Sequence, residues 1–413
     1  MSYDTRRLSR RAQGLFAGEA IPEYLQRHSE GLSDAFDPVA NPAGYIGLCE
    51  AENRLVAEMV ADRIDRAPGV PVSALGYDAM TGSLRFREQL GTFMGRTFLG
   101  RKFSPEQISV LAGAGSVLEI LFYALGDPGD GVLVPTPSYN GFWLDLELRA
   151  GLTIVPVHRT IDDGFRLSPE MLDRAVAGAG RPVKVLLFTS PDNPLGRVAS
   201  PEEISMVLKW ADDRDLHVVF DEIYALSVFG ESTFSSCAEL RPSLGDRVHI
   251  VWAFSKDFGA SGMRCGVLVS ENPAVNAAVD ALAYWACCSG HTQHVLGDLI
   301  SDESWVDSYI HAMRELLGGA YARLQTALDA GAIRYLPAEA GVFVLLDLRS
   351  RLEAPTWEAE RTLWLEILEH ARVNLTPGAA CHVGEPGFFR LCYAGQPTDT
   401  VEIGVRRIVR LFD

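Results

Sequence analysis

Residues 251–266 have the sequence VWAFSKDFGASGMRCG. The apolar run at its start predicts a buried β-strand that ends just before Lys256. A charge is costly at the end of an apolar strand, so the lysine either extends its amine to water or is kept neutral for chemistry. Small residues then lead the chain to Arg264, eight positions further on. An apolar strand that ends in a chemically useful side chain is the unit to look for elsewhere in the chain.

Similar apolar runs recur through the middle of the sequence. Seven predicted strands are ISVLAG (108–113), GVLVPT (131–136), LTIVPV (152–157), VKVLLFTS (183–190), LHVVFDE (216–222), VHIVWAF (248–254) and CGVLVS (265–270). Segments with helical periodicity separate them, such as SVLEILFYAL (116–125) and PEEISMVLKWADDR (201–214). Continuous apolar strands that alternate with helices predict an α/β fold, with a mostly parallel sheet covered on both faces.

The pattern changes after about residue 290. A long helical stretch (306–331) leads to the strand-like run GVFVLLDLR (341–349), a further helix and the strand-like FFRLCYA (388–394). This order predicts a smaller α+β domain. We therefore divide the chain into an N-terminal arm with part of the small domain (1–60), a large domain (61–290) and a small C-terminal domain (291–413).

Composition narrows the classes of function. The 413 residues are 47% hydrophobic, and 54 acidic against 37 basic side chains give a net charge of −17. Such a charge opposes binding to nucleic acid or to an anionic membrane. The basic RRLSRR near the N-terminus is not followed by an apolar segment, and no run of 18 apolar residues occurs. We therefore expect a cytoplasmic protein.

The cysteines are seven in number and scattered, and none lies in a CxxC pair. This usage predicts buried, reduced thiols in a cytosolic enzyme, with no metal site. The seven are Cys49, Cys237, Cys265, Cys287, Cys288, Cys381 and Cys392.

Polar side chains follow the ends of three neighbouring predicted strands. Asn193 follows one strand, Asp221 and Tyr224 end the next, and Lys256 ends the third. A turn of small residues, LAGAGSVLE (111–119), joins another strand to a helix. Because the carboxyl ends of parallel strands meet at one edge of a sheet, we expect these groups to converge there.

This set of groups matches the needs of pyridoxal 5′-phosphate (PLP). A lysine forms a Schiff base with it, and a carboxylate keeps its ring nitrogen protonated. An amide and a phenol suit its phenolic oxygen, and small residues at a helix N-terminus, with an arginine, suit its phosphate. Each signal alone has an ordinary structural explanation as a turn, a cap or a solvated charge. Their occurrence together, in this order, predicts a PLP enzyme.

Seven stretches make the sequence similar to a known superfamily. They are AENRL (51–55), GDPGDGVLVPTPSY (126–139), NPLG (193–196), DEIYA (221–225), SKDFGASGMRCG (255–266), TQHVL (292–296) and PGFFRLCYA (386–394). Over nearly its whole length the chain resembles fold-type-I PLP enzymes, the aminotransferase superfamily. Within it, the chain is most similar to the 1-aminocyclopropane-1-carboxylate (ACC) synthase-like branch. The resemblance implies a three-layer αβα large domain that binds PLP and a smaller α+β domain.

The resemblance also implies which residues hold the cofactor. Lys256 would form the Schiff base and shuttle the proton, Asp221 would pair with the ring nitrogen, and Tyr224 with Asn193 would bind the phenolic oxygen. The remaining implied cofactor contacts are ring stacking by Tyr139 and phosphate binding by Ala114, Gly115, Arg264 and Tyr77. Ser255 is a further implied cofactor contact, at a different position from the phosphate-binding serine of the family.

Two residues are implied to bind substrate, together with Asn193 and Tyr139. Arg390 resembles the family's anchor for the α-carboxylate, a role that suits the planar guanidinium better than an amine. Its alternative is a structural ion pair. Glu52 matches the glutamate that ACC synthases place near the sulfonium of their substrate. Its alternative is a helix-starting glutamate that benefits from the helix dipole.

The sequence departs from the family at two places. Ala253 stands three residues before Lys256, where the family often has a phosphate-binding serine, so one hydroxyl contact is missing. Plant-like ACC synthases have YHG where this chain has YDAMTG (77–82). Tyr77 fits the spacing of general aminotransferases, which offer this tyrosine to the phosphate in the neighbouring subunit. Its alternative is a simple packing role.

The leading functional prediction is a PLP enzyme that acts on S-adenosylmethionine by γ-elimination, with ring closure or with γ-replacement by a second small molecule. The second prediction is an aminotransferase of a 2-amino acid. A third, a PLP-binding regulator, is disfavoured by the acidic charge and the lack of a basic DNA-binding segment before the first strands. The resemblance also implies a homodimer, because such sites are built across a two-fold axis.

Overall fold

A computed structural model describes residues 7–14 and 21–412 of the protein. The strands are β1 (Ile46–Gly47), β2 (Ile108–Leu111), β3 (Gly131–Thr136), β4 (Thr153–His158), β5 (Val183–Thr189), β6 (His217–Asp221), β7 (Val248–Ala253), β8 (Gly266–Ser270), β9 (Arg334–Tyr335), β10 (Phe343–Asp347), β11 (Val373–Asn374), β12 (Thr376–Pro377) and β13 (Phe388–Cys392). The helices are α1 (Arg10–Gly14), α2 (Glu23–Gly31), α3 (Ala57–Asp65), α4 (Leu84–Thr97), α5 (Ala114–Leu125), α6 (Gly141–Glu147), α7 (Pro169–Gly178), α8 (Pro201–Asp212), α9 (Phe254–Asp257), α10 (Pro273–Leu282), α11 (Gly290–Ser301), α12 (Glu303–Ala330), α13 (Trp357–Glu366) and α14 (Thr398–Phe412).

The central sheet contains all seven strands that the apolar runs predict. Its order is β2-β8-β7-β6-β5-β3-β4. The pairs from β7 through β6, β5 and β3 to β4 are parallel, and β8 runs antiparallel to both of its neighbours. The prediction of a mostly parallel α/β sheet is therefore confirmed.

Alternate residues of each central strand pack into different hydrophobic clusters. In β6, Val218 and Phe220 belong to one buried cluster and Val219 belongs to another. The two clusters fill the spaces between the sheet and the helices on either side. Burial on both faces explains why these strands are continuous apolar runs rather than alternating ones.

A second, four-stranded sheet has the order β12-β13-β10-β9 and is antiparallel. The N-terminal segment joins this part of the chain, because β1 pairs in parallel with β11. The division at residues 1–60, 61–290 and 291–413 stays a prediction.

All seven cysteines are free thiols, and six of them are buried. Cys287 is exposed, so the prediction of a buried thiol is wrong there. Its backbone bridges Leu111 at the edge of the large sheet, which leaves the side chain at the surface. Among the described helices, we find none that is both long and apolar enough to cross a membrane.

Candidate cofactor and substrate site

Three parallel strands bring the predicted cofactor residues to one edge of the sheet. Asp221 is the last residue of β6, and its neighbours in the sheet are Thr189 at the end of β5 and Val251 in β7. Lys256 lies in α9, which begins directly after β7. Asn193 follows β5 by four residues. The carboxyl ends of the strands therefore place an amide, a carboxylate and an amine along the same rim, as predicted.

The amine of Lys256 is held inside the protein. Its Nζ donates a hydrogen bond of 2.6 Å to the backbone oxygen of Ala51. Burial lowers the pKa of Lys256, and the positive charge of Arg390 lowers it further. A lysine whose neutral form is favoured in this way is suited to act as a nucleophile and as a base.

Asp221 is a buried carboxylate with unused hydrogen-bonding capacity. Its Oδ1 accepts a hydrogen bond of 3.2 Å from the backbone of Ile223, and among the described residues we find no side-chain donor for it. Burial raises the pKa of Asp221 to about 7. A positively charged partner would restore its ionised form, as a protonated ring nitrogen does.

Arg390 lies in β13 and is buried, with its guanidinium tied on two sides. One terminal nitrogen donates to the Asn193 side-chain oxygen at 3.0 Å. The other donates to the Cys49 backbone oxygen at 2.6 Å and to the Thr376 hydroxyl at 3.1 Å. Its buried Nε has no partner among the described residues. The alternative of a structural ion pair fails here, because the partners are neutral oxygens and the charge remains available to an anion.

The two predicted tyrosines differ in exposure. Tyr224 is buried, and its ring meets the Phe343 ring edge-on at 5.4 Å between centroids. Burial raises the pKa of Tyr224 well above its ordinary value, so the hydroxyl keeps its proton and can donate it in a hydrogen bond. Tyr139 precedes α6 and is 40% exposed, so a face of its ring is open to a ligand.

The turn before α5 is shaped around Arg264. Gly113 caps this helix with φ 93°, and a Cβ added to it would lie 2.3 Å from Arg264 Nη2. The guanidinium therefore packs directly on the bare α-carbon, and it donates to the backbone oxygen of Ser261 at 3.0 Å. The backbone of Ala114 and Gly115 forms the first turn of the helix. A helix N-terminus beside an exposed arginine is a suitable place for a phosphate.

The backbone oxygen of Ala51 accepts the hydrogen bond from Lys256, and a glutamate lies on either side of Ala51 in the sequence. Glu52 accepts hydrogen bonds from Arg54 Nε at 2.8 Å and from Ser261 Oγ at 2.9 Å. It precedes α3 by five residues, so the alternative of a helix-starting glutamate fails. Glu50, which the sequence did not single out, accepts a hydrogen bond of 3.2 Å from His28 Nε2. That hydrogen bond and the nearby positive charges, Lys256 among them, lower the pKa of Glu50.

Buried acids next to site residues were also missed. Asp257, beside the lysine, accepts hydrogen bonds from Ser227 Oγ at 2.6 Å and from Trp252 Nε1 at 2.8 Å. Asp192, beside Asn193, forms a buried ion pair of 2.8 Å with Arg159. Their adjacency to site residues in SKDF and PDNP was the available signal. These contacts anchor the chain next to Lys256 and next to Asn193, so both acids help to position those side chains.

Among the described residues, Tyr77 and Ser255 form no side-chain hydrogen bond with the other predicted cofactor residues. Tyr77 is 98% exposed, so its alternative of a packing tyrosine fails within one chain. Ser255 is buried in α9, and among the described residues its hydroxyl has no hydrogen-bond partner from the predicted set. Ala253 is fully buried at the end of β7, where a hydroxyl is absent as expected.

The sequence is similar to that of known proteins over nearly its whole length. A profile of the family "Aminotransferase class I and II" matches residues 45–408. The chain belongs to this family. Two relatives from Arabidopsis thaliana are 1-aminocyclopropane-1-carboxylate synthase 6, at 34% identity over 98% of this chain and 85% of the relative, and synthase 7, at 35% identity over 98% and 95%. The family member described here is therefore a PLP-dependent enzyme of the ACC synthase type, and the predicted resemblance is confirmed.

Solved structures support the fold. A double mutant of Thermus thermophilus aspartate aminotransferase superposes with a TM-score of 0.80 at 23% identity, covering 98% of this chain and 100% of that one. The aromatic aminotransferase of Pyrococcus horikoshii OT3 gives a TM-score of 0.79 at 21% identity, over 94% and 98%. At these identities the likeness establishes the architecture alone.

The residues of this family member fit PLP on structural grounds. The absence of a side chain at Gly113 lets Arg264 pack against the start of α5, Asp221 is a buried acid that lacks a side-chain donor among the described residues, and Lys256 has a lowered pKa. These features correspond to the phosphate, the ring nitrogen and the aldehyde of the cofactor.

Proposed function

We propose that the protein acts on S-adenosylmethionine, removing its Cα proton and releasing methylthioadenosine from Cγ. Ring closure between Cα and Cγ gives the cyclopropane amino acid. Addition of a second small molecule at Cγ gives a γ-replacement or annulation product instead. The names of the relatives, which are ACC synthases over nearly the full length of this chain, support the class of reaction.

The observation that carries this proposal is the presence of two carboxylates near the lysine amine. Lys256 Nζ binds the carbonyl of Ala51, and Glu50 and Glu52 flank that residue in the chain. The charges of both glutamates act to raise the pKa of Lys256, against the larger lowering by burial, so both carboxylates lie near the amine. A carboxylate beside the reacting carbon is the partner that a sulfonium cation requires, whereas an ordinary amino acid does not need it.

In the proposed reaction, Arg390 and Lys256 have different roles. PLP, when bound, supplies an electron sink that stabilises negative charge at Cα. Arg390 holds the substrate carboxylate, and Lys256, as a neutral amine, takes the Cα proton. The electron pair of the Cγ–S bond leaves with the sulfur of methylthioadenosine, and the new carbon–carbon bond forms at Cγ. The proton from Cα passes from the lysine to solvent.

The test is a product analysis with S-adenosylmethionine, first alone and then with candidate small-molecule acceptors. We expect methylthioadenosine together with ACC in equal amounts, or methylthioadenosine release that depends on an added acceptor. A protein-free sample corrects for spontaneous breakdown. A 2-oxo acid and the pyridoxamine form of the cofactor, without methylthioadenosine, would establish the aminotransferase instead.

The same proposal includes a homodimer in the cytoplasm. Tyr77 is fully exposed in one chain, which supports a role in the phosphate site of a second subunit. The residue roles predicted from the resemblance, with Ser255 as a cofactor contact and Tyr77 as a phosphate contact, are part of this proposal. The large domain, residues 61–290, would hold the cofactor against the small domain.

A further inference from the structure

A pocket of about 530 Å³ lies beside the candidate site. None of the residues assigned above to cofactor or substrate lines this pocket. It is formed where α2, α6 and α13 approach one another. Its aromatic lining comes from Tyr24, Trp143, Trp357, Trp364 and His382. A pocket of this size, mostly apolar with a few polar groups, is typical of a site for a small organic molecule.

Two walls of this aromatic pocket continue into the candidate site. Asn140, in one wall, directly follows Tyr139, whose ring is predicted to stack on the cofactor. Pro377, in the other wall, directly follows Thr376, whose hydroxyl binds Arg390 at 3.1 Å. Tyr24, which lines the pocket, lies close enough to Arg390 for the positive charge of the arginine to lower the pKa of the phenol, against the larger raising by burial. A molecule held at the arginine can therefore extend towards the pocket.

One side of the pocket is a flat pair of rings. Trp143 and His382 stack with 3.4 Å between ring centroids and 13° between ring planes. Burial lowers the pKa of His382 to about 4, so the imidazole is uncharged at neutral pH. His382 has a left-handed backbone, with φ 53°, which is costly for a residue with a side chain. Strained backbone of this kind is common where a side chain must be aimed at a ligand.

The remaining groups leave an aromatic surface open. The Trp357 side chain is 44% exposed at the start of α13, whereas Trp364 is buried and its Nε1 donates to the Asn374 side chain at 3.1 Å. The Tyr24 hydroxyl accepts a hydrogen bond of 3.1 Å from the Asn140 amide. Partly exposed aromatic rings next to fixed polar groups suit a flat ring that also carries hydrogen-bonding atoms.

We propose that the aromatic pocket binds a planar heteroaromatic ring of a substrate, stacked against Trp143 and Trp357. The proposal rests on the proposed function, because that function requires a molecule that reaches outward from Arg390. The ring comes either from the adenosine end of S-adenosylmethionine or from a separate acceptor that adds at Cγ. Both have the same chemistry, and the test separates them.

The test is a binding measurement by titration calorimetry on the PLP-loaded enzyme. The probes are methylthioadenosine, which carries the adenosine ring, and indole, a flat ring without the nucleoside. Trp143→Leu removes the stacking surface, Trp143→Phe retains a ring, and Trp357→Ala, at an exposed position, tests the pocket if the first variant folds poorly. Leu148→Ala is the matched control, since Leu148 lies just after α6, is 49% exposed and does not line the pocket.

Loss of the stacking ring is expected to weaken binding roughly tenfold in Trp143→Leu, and less in Trp143→Phe, with no change in Leu148→Ala. Binding of methylthioadenosine in this pattern assigns the ring to S-adenosylmethionine. Binding of indole alone in this pattern assigns it to a separate acceptor. The proposal is overturned if neither probe binds the wild type. It is also overturned if the probes bind Trp143→Leu as tightly as they bind the wild type. Because no turnover is measured, these outcomes do not depend on whether the enzyme releases methylthioadenosine.

Discussion

The guanidinium of Arg390 donates a 3.0 Å hydrogen bond to the side-chain oxygen of Asn193, although the two residues are 197 positions apart. Arg390 is proposed to bind the substrate carboxylate, and Asn193 is proposed to bind the phenolic oxygen of the cofactor. The contact therefore joins the substrate subsite on β13 to the cofactor subsite after β5. A substrate carboxylate that binds Arg390 is therefore expected to change the hydrogen bond that Asn193 accepts.

The first prediction concerns this arginine. Arg390→Lys keeps the charge but loses the planar fork, so it cannot hold a carboxylate and Asn193 together. We expect KM for S-adenosylmethionine to rise roughly 10- to 100-fold, in line with the loss of charge-assisted hydrogen bonds of about 1.5–3 kcal/mol. Steady-state kinetics measure this change. An unchanged KM would remove Arg390 from the substrate site.

A second prediction uses two glycines with nearly the same backbone. Gly113→Ala would place a Cβ 2.3 Å from Arg264 Nη2 at φ 93°, whereas Gly129→Ala has φ 94° and nothing within 4 Å of its Cβ. Both variants bear backbone strain of roughly 1–3 kcal/mol in unfolding free energy, but only the first displaces the arginine. Titration of the cofactor-free proteins with PLP should show weaker binding in Gly113→Ala alone. Equal affinities in the two variants would contradict the proposed phosphate site.

The third prediction concerns pH. Burial raises the pKa of Asp221 from 3.8 to about 7 in the folded, cofactor-free protein. Between these values the folded state binds more protons than the unfolded state, so the contribution of this residue to stability is greatest at low pH and is lost as pH rises through 7. The free energy of unfolding of the wild type, relative to Asp221→Asn, should fall by on the order of 4 kcal/mol from pH 4 to pH 8. Chemical denaturation measures it, and a constant difference across this range would disprove the shift.

The fourth prediction tests the exchange of residues between subunits. Lys256→Ala and Tyr77→Ala should each impair the enzyme, and their mixed dimer would contain one site with both residues intact. If Tyr77 serves the partner's cofactor, refolding the two variants together in equal amounts should restore about a quarter of wild-type activity above the separate variants. If Tyr77 serves its own subunit, no restoration follows. Wild type refolded in the same way is the control.

Much of the fold could be predicted from the sequence because strands buried on both faces are continuous apolar runs. β3 matches its predicted run exactly, and the functional residues at the ends of β5, β6 and β7 followed from the parallel arrangement. What could not be predicted were contacts between distant parts of the chain. The hydrogen bond between His28 and Glu50 depends on how the N-terminal segment folds back onto the sheet. The contact between Arg390 and Asn193 depends in the same way on β13.

Other features of the site had no local signal at all. His382 occupies a left-handed conformation that sequence usually assigns to glycine, and its stacking on Trp143 requires α6 to meet the loop after β12. Such features come from tertiary contacts, which residue patterns do not encode position by position.

The central claim is that Lys256 removes the Cα proton of S-adenosylmethionine and that methylthioadenosine then leaves. The most direct test is the rate of methylthioadenosine release from S-adenosylmethionine, measured with this substrate alone and with candidate acceptors. It compares the PLP-loaded wild type with Lys256→Ala and with the control Lys102→Ala, whose lysine is at the surface. We predict release by the wild type and the control at equal rates, and a loss of at least about 100-fold in Lys256→Ala. Absence of release by the wild type, or undiminished release by Lys256→Ala, would contradict the account.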